Sequence, residues 1–189
     1  MPPRLERLDI FFTRGEHWFS RQIRKMTRSP GEPETIANHV GLVGYEGNGL
    51  HAWGLEALGD GVKFHRLCER YGPSSEICIF RPLNLTDVER DKIYAEAGTM
   101  INARYGWAKI VLHGLDYCLG GKYLFRRFGK IDRFPICSYF VAHAYAAAGK
   151  AFNVDTRAAS PDDIWDYVVS HPDKYGFVWQ QGQMYGGKT

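Results

Sequence analysis

A cysteine at position 137 follows a proline at 135 and begins an alanine-rich run that ends at Gly149. The proline fits the start of a helix and the glycine fits its end, so we expect Cys137 in the first turn of that helix. There the unsatisfied amide groups and the positive end of the helix dipole favour a thiolate, the nucleophilic form of a cysteine. Free cysteines commonly pack as small apolar residues, so the nucleophile hypothesis requires a base elsewhere in the chain.

The base of a catalytic cysteine is normally a histidine, and a third polar group holds the imidazole in the right tautomer. Of the seven histidines, His39 is best placed, because it begins an apolar strand directly after a loop. His143 lies six positions after Cys137, on a different side of the same helix, where a surface or core role is expected. His51 lies on the neighbouring predicted strand and remains a rival or a partner of His39.

Glu56 is the candidate for the third group. It stands between two apolar residues near the end of the strand that follows His39, where an acid is unexpected unless it has a partner. A hairpin about the turn at residues 47–49 places Glu56 opposite about position 40. Cys137, His39 and Glu56 therefore form a candidate catalytic triad.

Strands are predicted on both sides of that hairpin. Short runs rich in β-forming residues, bounded by turn residues, indicate strands at residues 8–13, 39–45, 50–57 and 76–81. Residues 62–65 and 67–71 are ambiguous, the first fitting a brief strand and the second a helical turn. An edge strand is expected at residues 177–180.

Helical periodicity and capping residues predict the remaining elements. Thr86 and Glu89 have the form of a capping box that begins a helix running to about residue 103. Ser160, Pro161 and two acids mark the start of a last helix that ends at about residue 169. Further helices are expected at residues 18–26 and 107–119, with a loop at 28–34 and a basic, aromatic connector at 122–134.

Composition indicates a single globular domain. The chain has 189 residues, of which 44% are hydrophobic and 14% aromatic, and this supplies a sizeable core and excludes a disordered protein. We expect one domain over residues 1–181 and a flexible tail over residues 182–189.

The four cysteines show neither a CxxC pair nor a spacing that suggests zinc. Free thiols in a reducing compartment are the simplest interpretation, and no metal or cofactor is expected. The N-terminal sequence has no apolar signal core, and no run approaches the roughly 20 apolar residues of a membrane span. We therefore expect a chain made in the cytoplasm, with no transmembrane segment.

Basic residues gather in two clusters although the net charge is only +3. The clusters are Arg14, Arg21, Arg24, Lys25 and Arg28, and Lys122, Arg126, Arg127, Lys130 and Arg133. They could meet an anionic surface or substrate, although a solvated basic face is the commoner outcome. No nucleic-acid motif accompanies them, and no nucleic-acid partner is expected.

Four motifs occur in a particular order: LDIFF at residues 8–12, NHVGLV at 38–43, GLEA at 54–57 and ICSYFV at 136–141. Together they resemble the permuted branch of the NlpC-type papain-like cysteine hydrolases, to which YiiX-like proteins and the lecithin:retinol acyltransferase group belong. Papain-type enzymes present the cysteine before the histidine, whereas this chain has the permuted order of histidine, glutamate and cysteine. The likeness spans about residues 8–170.

The resemblance implies an α+β fold of the permuted papain-like type, with a small antiparallel sheet or barrel packed against helices. The nucleophile of that fold stands at a helix N-terminus. The resemblance implies Cys137 as nucleophile, His39 as general base and then acid, and Glu56 as the group that orients His39. The backbone amide of Cys137 would supply one oxyanion donor.

The chain departs from the family pattern at three positions. Ile136 stands where the family often has an aromatic residue, and Tyr139 where it often has an acid. Leu8 occupies a position where glycine is usual. These departures bear on substrate choice more than on the fold or the triad.

The chemistry that the resemblance implies is attack of a thiolate on an amide or ester carbonyl, followed by resolution of the acyl-enzyme by water or another acceptor. Hydrolysis of an amide or peptide bond, as in cell-wall peptides, is the first expectation. Lipid acyl transfer, deacylation or thioester hydrolysis is the second. Trp18, Trp53, Tyr123, Phe125 and the basic clusters would suit a lipid with an anionic head, and would equally suit an ordinary core and surface.

A function of another class is also open. The same fold could serve as a non-catalytic structural or binding component of a phage particle or secretion assembly. Such an assembly would also deliver the chain to an extracellular target without an N-terminal signal.

Overall fold

The computed structural model describes residues 2–15, 35–104 and 136–186, and the fold is given for these residues. The helices expected at 18–26 and 107–119, the loop at 28–34 and the connector at 122–134 lie outside the described residues. Within the described ranges, no helix has the length and apolar character needed to cross a membrane.

The described residues form strands and helices in mixed order. The strands are β1 (Arg4–Leu5), β2 (Ile10–Arg14), β3 (His39–Tyr45), β4 (Gly47–Asn48), β5 (Trp53–Leu58), β6 (Gly61–Arg66), β7 (Glu76–Pro82) and β8 (Tyr175–Gln181). The helices are α1 (Leu67–Arg70), α2 (Asp87–Thr99), α3 (Cys137–Ala146) and α4 (Pro161–Ser170), and a 3₁₀ turn covers Gly49–His51.

Six strands form one antiparallel sheet in the order β6-β5-β3-β2-β7-β8, and β1 pairs separately with β4. The predicted α+β class is confirmed. Over the described residues the large sheet is open, with β6 at one edge and β8 at the other, so the alternative of a closed barrel is not found there. The strand predicted at 177–180 is indeed an edge strand.

Alternating side chains of β2 divide the core into two clusters, because successive residues of a strand point to opposite faces of the sheet. Ile10 and Phe12 belong to the larger cluster, to which α3 contributes Phe140. Phe11 belongs to the smaller cluster, which contains Tyr71. Burial of each such large apolar side chain stabilises the fold by about 1.5–3 kcal/mol. Helix α3 packs against β3 and β5, so the burial of its apolar side chains fixes where the helix begins relative to those strands.

The predicted capping box at Thr86 is present, and the predicted N-cap at Ser160 is also part of a capping box. The Glu89 amide donates to the Thr86 hydroxyl, and the Thr86 amide donates to the Glu89 carboxylate. Ser160 and Asp163 form the same pair of bonds at the start of α4. An N-cap of this kind stabilises a helix by about 1 kcal/mol. Helix α2 ends at Thr99, earlier than the expected end near residue 103.

Two other boundaries differ from the sequence prediction. Strand β5 begins at Trp53, because residues 49–51 form a 3₁₀ turn where a strand was expected from residue 50. The ambiguous segment is resolved as strand β6 followed by the single helical turn α1.

Residues 182–186, in the segment predicted to be a tail, lie against the sheet. Met184 is buried, and the Gln180 side chain hydrogen-bonds both the amide and the carbonyl of Tyr185. The Tyr185 ring stacks on Phe177 with 5.2 Å between centroids. These contacts extend the packed region beyond residue 181.

Leu8 precedes β2 in a left-handed conformation, with φ 74°. This conformation costs a residue with a Cβ atom about 1–2 kcal/mol. The Leu8 amide donates to the Val43 carbonyl at 2.8 Å, and the Tyr145 hydroxyl donates to the Leu8 carbonyl at 2.9 Å. Because Tyr145 lies on α3, these bonds tie the helix of Cys137 to the start of the central strand β2.

Candidate active site

Cys137 is the first residue of α3, as predicted, and Ile136 is the N-cap residue. An isoleucine side chain cannot accept a hydrogen bond, so Ile136 does not cap the first turn of α3. Cys137 carries a free thiol and is 7% exposed. Its sulfur therefore lies at the positive end of a helix dipole, in a largely desolvated position.

His39 is the first residue of β3, and its side chain is 18% exposed. Its Nε2 atom hydrogen-bonds Oε2 of Glu56, and the Cys137 side chain lies close enough to the ring to influence its pKa. Burial lowers the pKa of His39, but the charges of Glu56 and Cys137 and their hydrogen bonds outweigh it and raise this pKa to about 10. The three predicted triad residues are thus brought together around the imidazole.

Glu56 is fully buried on β5. Leu55 pairs with Leu42, and continuing this register places Glu56 beside Gly41, one position from the expected partner. Burial raises the pKa of Glu56, whereas the charge of His39, its hydrogen bond and the nearby His65 imidazole lower it to about 2. Glu56 is therefore ionised, and its charge faces the imidazole.

Three further side chains reach Glu56, and the sequence did not predict them. The Tyr71 hydroxyl donates to Oε2 at 2.8 Å and lies 3.1 Å from Oε1. His65 Nε2 lies 2.6 Å from Oε1, and Arg70 Nε lies 4.0 Å from the same oxygen. The His65 contact is at ion-pair distance without the angle of a regular hydrogen bond, and Nδ1 of that ring has no hydrogen-bond partner among the described residues.

His51 does not take part in this site. It lies exposed in the 3₁₀ turn before β5, where no strand carries its side chain toward His39. His65 takes the position of second histidine instead. It pairs with Gly54, two residues before Glu56 on the same face of β5, and this alternation is the signal that could have identified it.

His143 lies at the surface, one of the two places expected for it. Its ring stacks on Tyr139 with 5.0 Å between centroids, and Nε2 lies 3.1 Å from Oε1 of Glu96 on α2. The side chain is partly exposed. These contacts join α3 to α2 on a side of the helix away from the His39 contact.

Cys78 is an inert structural thiol by comparison with Cys137. It is fully buried in β7, and burial raises its pKa to about 12. Among the described residues, no group of histidine, cysteine, aspartate and glutamate side chains has the arrangement of a metal site. Of the aromatic residues considered for a lipid, Trp53 lies partly exposed beneath the Arg66 guanidinium at 5.7 Å, and the other three lie outside the described residues.

Comparison of the chain with models of known protein families and with curated proteins finds no match. The function proposed below therefore rests on the contacts among the described residues and on the order of the sequence motifs.

Proposed function

We propose that the chain is a papain-like cysteine hydrolase that cleaves amide or peptide bonds through an acyl-enzyme on Cys137. The observation that carries this proposal is the chain of contacts from the buried Glu56 carboxylate to the His39 imidazole and from there to the Cys137 side chain. A buried carboxylate that orients a histidine beside a thiol is the arrangement that activates a cysteine nucleophile.

The roles of the two ring nitrogens follow from the Glu56 contact. Because Nε2 of His39 is held by Glu56, Nδ1 is the nitrogen left to take the proton of the Cys137 thiol. The thiolate then attacks the carbonyl carbon, a C–S bond forms, and the electron pair of the C=O π bond moves to oxygen. The backbone amide of Cys137, in the first turn of α3, can donate to that oxyanion.

Collapse of this intermediate breaks the C–N bond. The His39 imidazolium gives its proton to the departing amine, which leaves a thioester on Cys137. Water then attacks the thioester and passes a proton to His39, and the C–S bond breaks to release the acid. The raised pKa of His39 suits the first of these proton transfers, because the imidazole is protonated when the amine must leave.

We also propose that the fold is the permuted papain-like fold. The support is the position of α3 against β3 and β5, with the nucleophile at the helix N-terminus and the histidine at the start of a strand. The histidine, glutamate and cysteine stand in the order of the permuted branch. The substrate proposed first is the peptide part of a cell wall.

The test combines thiol labelling with activity. Iodoacetamide should modify Cys137 well below about pH 8, where an ordinary thiol reacts slowly, and His39→Ala should abolish this reactivity. Cys78 is the internal control, because it is buried and should stay unreactive in the folded chain. Peptidoglycan fragments and acyl esters are then assayed in parallel.

Each outcome has a distinct meaning. Cleavage of peptidoglycan fragments that Cys137→Ala abolishes supports the proposal, whereas turnover of acyl esters alone identifies a lipid acyltransferase or deacylase. Sluggish labelling of every thiol, with no turnover of either substrate, identifies a structural component and overturns the proposed activity.

A further inference from the structure

We propose that Tyr71 and His65 are positioning residues of this site, which hold the Glu56 carboxylate so that its Oε2 atom faces His39. The inference rests on the proposed function, since it concerns the group that orients the proposed base. Both side chains lie outside the triad, and each contacts an oxygen of the Glu56 carboxylate.

Tyr71 holds the carboxylate from the end of α1. Its hydroxyl lies within 3.1 Å of both oxygens, closer to Oε2, and its ring packs edge-on against Phe11 at 5.8 Å between centroids. Burial and the charge of Glu56 raise the pKa of the Tyr71 hydroxyl well above its ordinary value. The hydroxyl therefore keeps its proton at neutral pH, where Glu56 is ionised, and acts as a donor to it.

The backbone around Tyr71 fixes where that hydroxyl stands. The Leu67 amide at the start of α1 donates to the Ala52 carbonyl at 3.0 Å, just before β5. The Tyr71 amide donates to the Leu67 carbonyl at 2.7 Å and closes the helical turn. Tyr71 is thus anchored to the same strand that carries Glu56, so the donor and the carboxylate share one rigid frame.

His65 approaches the carboxylate from β6. Its Nε2 atom lies 2.6 Å from Oε1, and its side chain is 16% exposed. Gly54 stands opposite His65 in the sheet, and a Cβ at position 54 would lie 3.4 Å from His65 Nε2. A side chain at position 54 would meet His65 only at ordinary contact distance, whereas it would overlap Cδ2 of Leu67 at 2.6 Å, so this glycine accommodates Leu67 at the start of α1.

The four side chains around Glu56 contact different oxygens of its carboxylate. His39 from β3 contacts Oε2, while His65 from β6 and Arg70 from α1 face Oε1. Tyr71 spans both oxygens. A carboxylate held in this way cannot rotate without breaking several contacts at once, and a base oriented by a fixed partner keeps its productive geometry.

A purely structural role is the competing explanation, because Tyr71 also belongs to the smaller core cluster. Tyr71→Phe separates the two roles, since it removes the hydroxyl and keeps the ring that packs on Phe11. At position 65 the matched pair is His65→Leu, which removes the polar contact, and His65→Gln, which keeps an amide donor near the place of Nε2.

The full chain is used throughout, with iodoacetamide as the probe of Cys137 and ¹³C NMR of the side-chain carboxyl as the probe of Glu56. Tyr71→Phe and His65→Leu should each slow alkylation of Cys137 at neutral pH by about tenfold, the factor that 1.4 kcal/mol represents. Each should also raise the pH at which Glu56 titrates, because the buried carboxylate loses the Tyr71 donor in one variant and the polar His65 neighbour in the other. His65→Gln should restore most of the alkylation rate. The midpoint of thermal unfolding of each variant should stay above the temperature at which alkylation and NMR are measured.

Wild-type alkylation rates and an unchanged Glu56 titration in both Tyr71→Phe and His65→Leu would overturn the positioning roles and leave the proposed hydrolase intact. Failure of the hydrolase looks different, because the wild-type chain itself would then show no His39-dependent alkylation and no turnover. In that case the Glu56 titration still decides whether Tyr71 and His65 hold the carboxylate. If one variant does not fold, the comparison at the other position decides.

Discussion

Gly41 on β3 leaves the space that the Glu56 side chain fills on the neighbouring strand β5. A Cβ atom at position 41 would lie 2.9 Å from the Glu56 Cβ and 2.4 Å from Cζ of Phe11. Real Cβ atoms do not approach other atoms so closely, and both neighbours are fully buried. The missing side chain at position 41 is therefore a condition for placing a carboxylate beside His39.

Gly41→Ala should destabilise the fold and displace Glu56. The added methyl group overpacks a buried site, which typically costs about 1–3 kcal/mol. Urea denaturation measures the loss, and alkylation of Cys137 below pH 8 should slow in parallel, by about tenfold. Gly98→Ala is the control, because a Cβ atom at position 98 meets nothing within 4 Å. Gly98 lies in α2, and alanine is more favourable than glycine in a helix by up to about 1 kcal/mol. Equal stability of the two variants would contradict this account of Gly41.

Glu56→Gln should lower the pKa of His39 from about 10 toward its ordinary range, because the charge of Glu56 is the largest of the effects that raise it. The variant keeps the shape of the side chain and removes its charge. A ¹⁵N NMR titration of the imidazole measures the change directly. The alkaline limit of hydrolytic activity should move to lower pH with it, since the leaving amine needs a proton from His39. An unshifted imidazole titration would show that Glu56 does not control the base.

The His39–Glu56 pair should give the fold a pH optimum on the acidic side of neutrality. The folded pKa of His39 is raised from 6.5 to about 10, so the stability that it contributes is complete below pH 6.5 and is lost as the pH rises toward 10. The folded pKa of Glu56 is lowered from 4.5 to about 2, so its contribution is complete above pH 4.5 and is lost as the pH falls toward 2.

The measurement for this pair is the free energy of unfolding in urea across that pH range, for the wild-type chain and for the double variant His39→Gln, Glu56→Gln. The difference between the two should be greatest between pH 4.5 and 6.5 and should shrink on either side. A difference that grows from pH 7 to pH 9 would have the wrong sign for this pair.

Position 8 should reverse the usual ranking of alanine and glycine. Leu8→Ala and Leu8→Gly both lose a buried side chain, but glycine adopts the positive φ of this position at no steric cost, whereas alanine pays about 1–2 kcal/mol. Leu8→Gly should therefore be the more stable of the two in urea. In the interior of α2 glycine is the less stable residue, so Ala97→Gly serves as the reference for the normal order. A more stable Leu8→Ala would contradict the conformation seen here.

Local signals predicted much of what positions the site. Helices α2 and α4 begin at the capping residues Thr86 and Ser160, and strand β3 covers the apolar run that begins at His39. Each of these signals depends on residues close in sequence. The place of Cys137 at a helix start and the approximate opposition of Glu56 to β3 likewise follow from short-range turn and cap chemistry.

The partners of Glu56 could not be found in this way. His65 reaches the carboxylate only because β6 pairs with β5 in one particular register, and Tyr71 only because the turn α1 folds back onto the start of β5. The sequence pattern also favoured His51 over His65 as a partner of His39, because it predicted a strand from residue 50. His51 instead lies in a 3₁₀ turn before β5. Such choices depend on tertiary contacts that no local pattern encodes.

The central position of β2 bears on how the chain folds. The earliest long strand pairs with β3 and β7, both made later, and the hydroxyl bond from Tyr145 to Leu8 joins residues 137 positions apart. Contacts of such long sequence separation form slowly, because much chain entropy is lost before they stabilise anything. During synthesis the sheet can therefore begin to assemble well before α3 docks, so a nascent chain would expose the Glu56 side chain until α3 packs against β3 and β5.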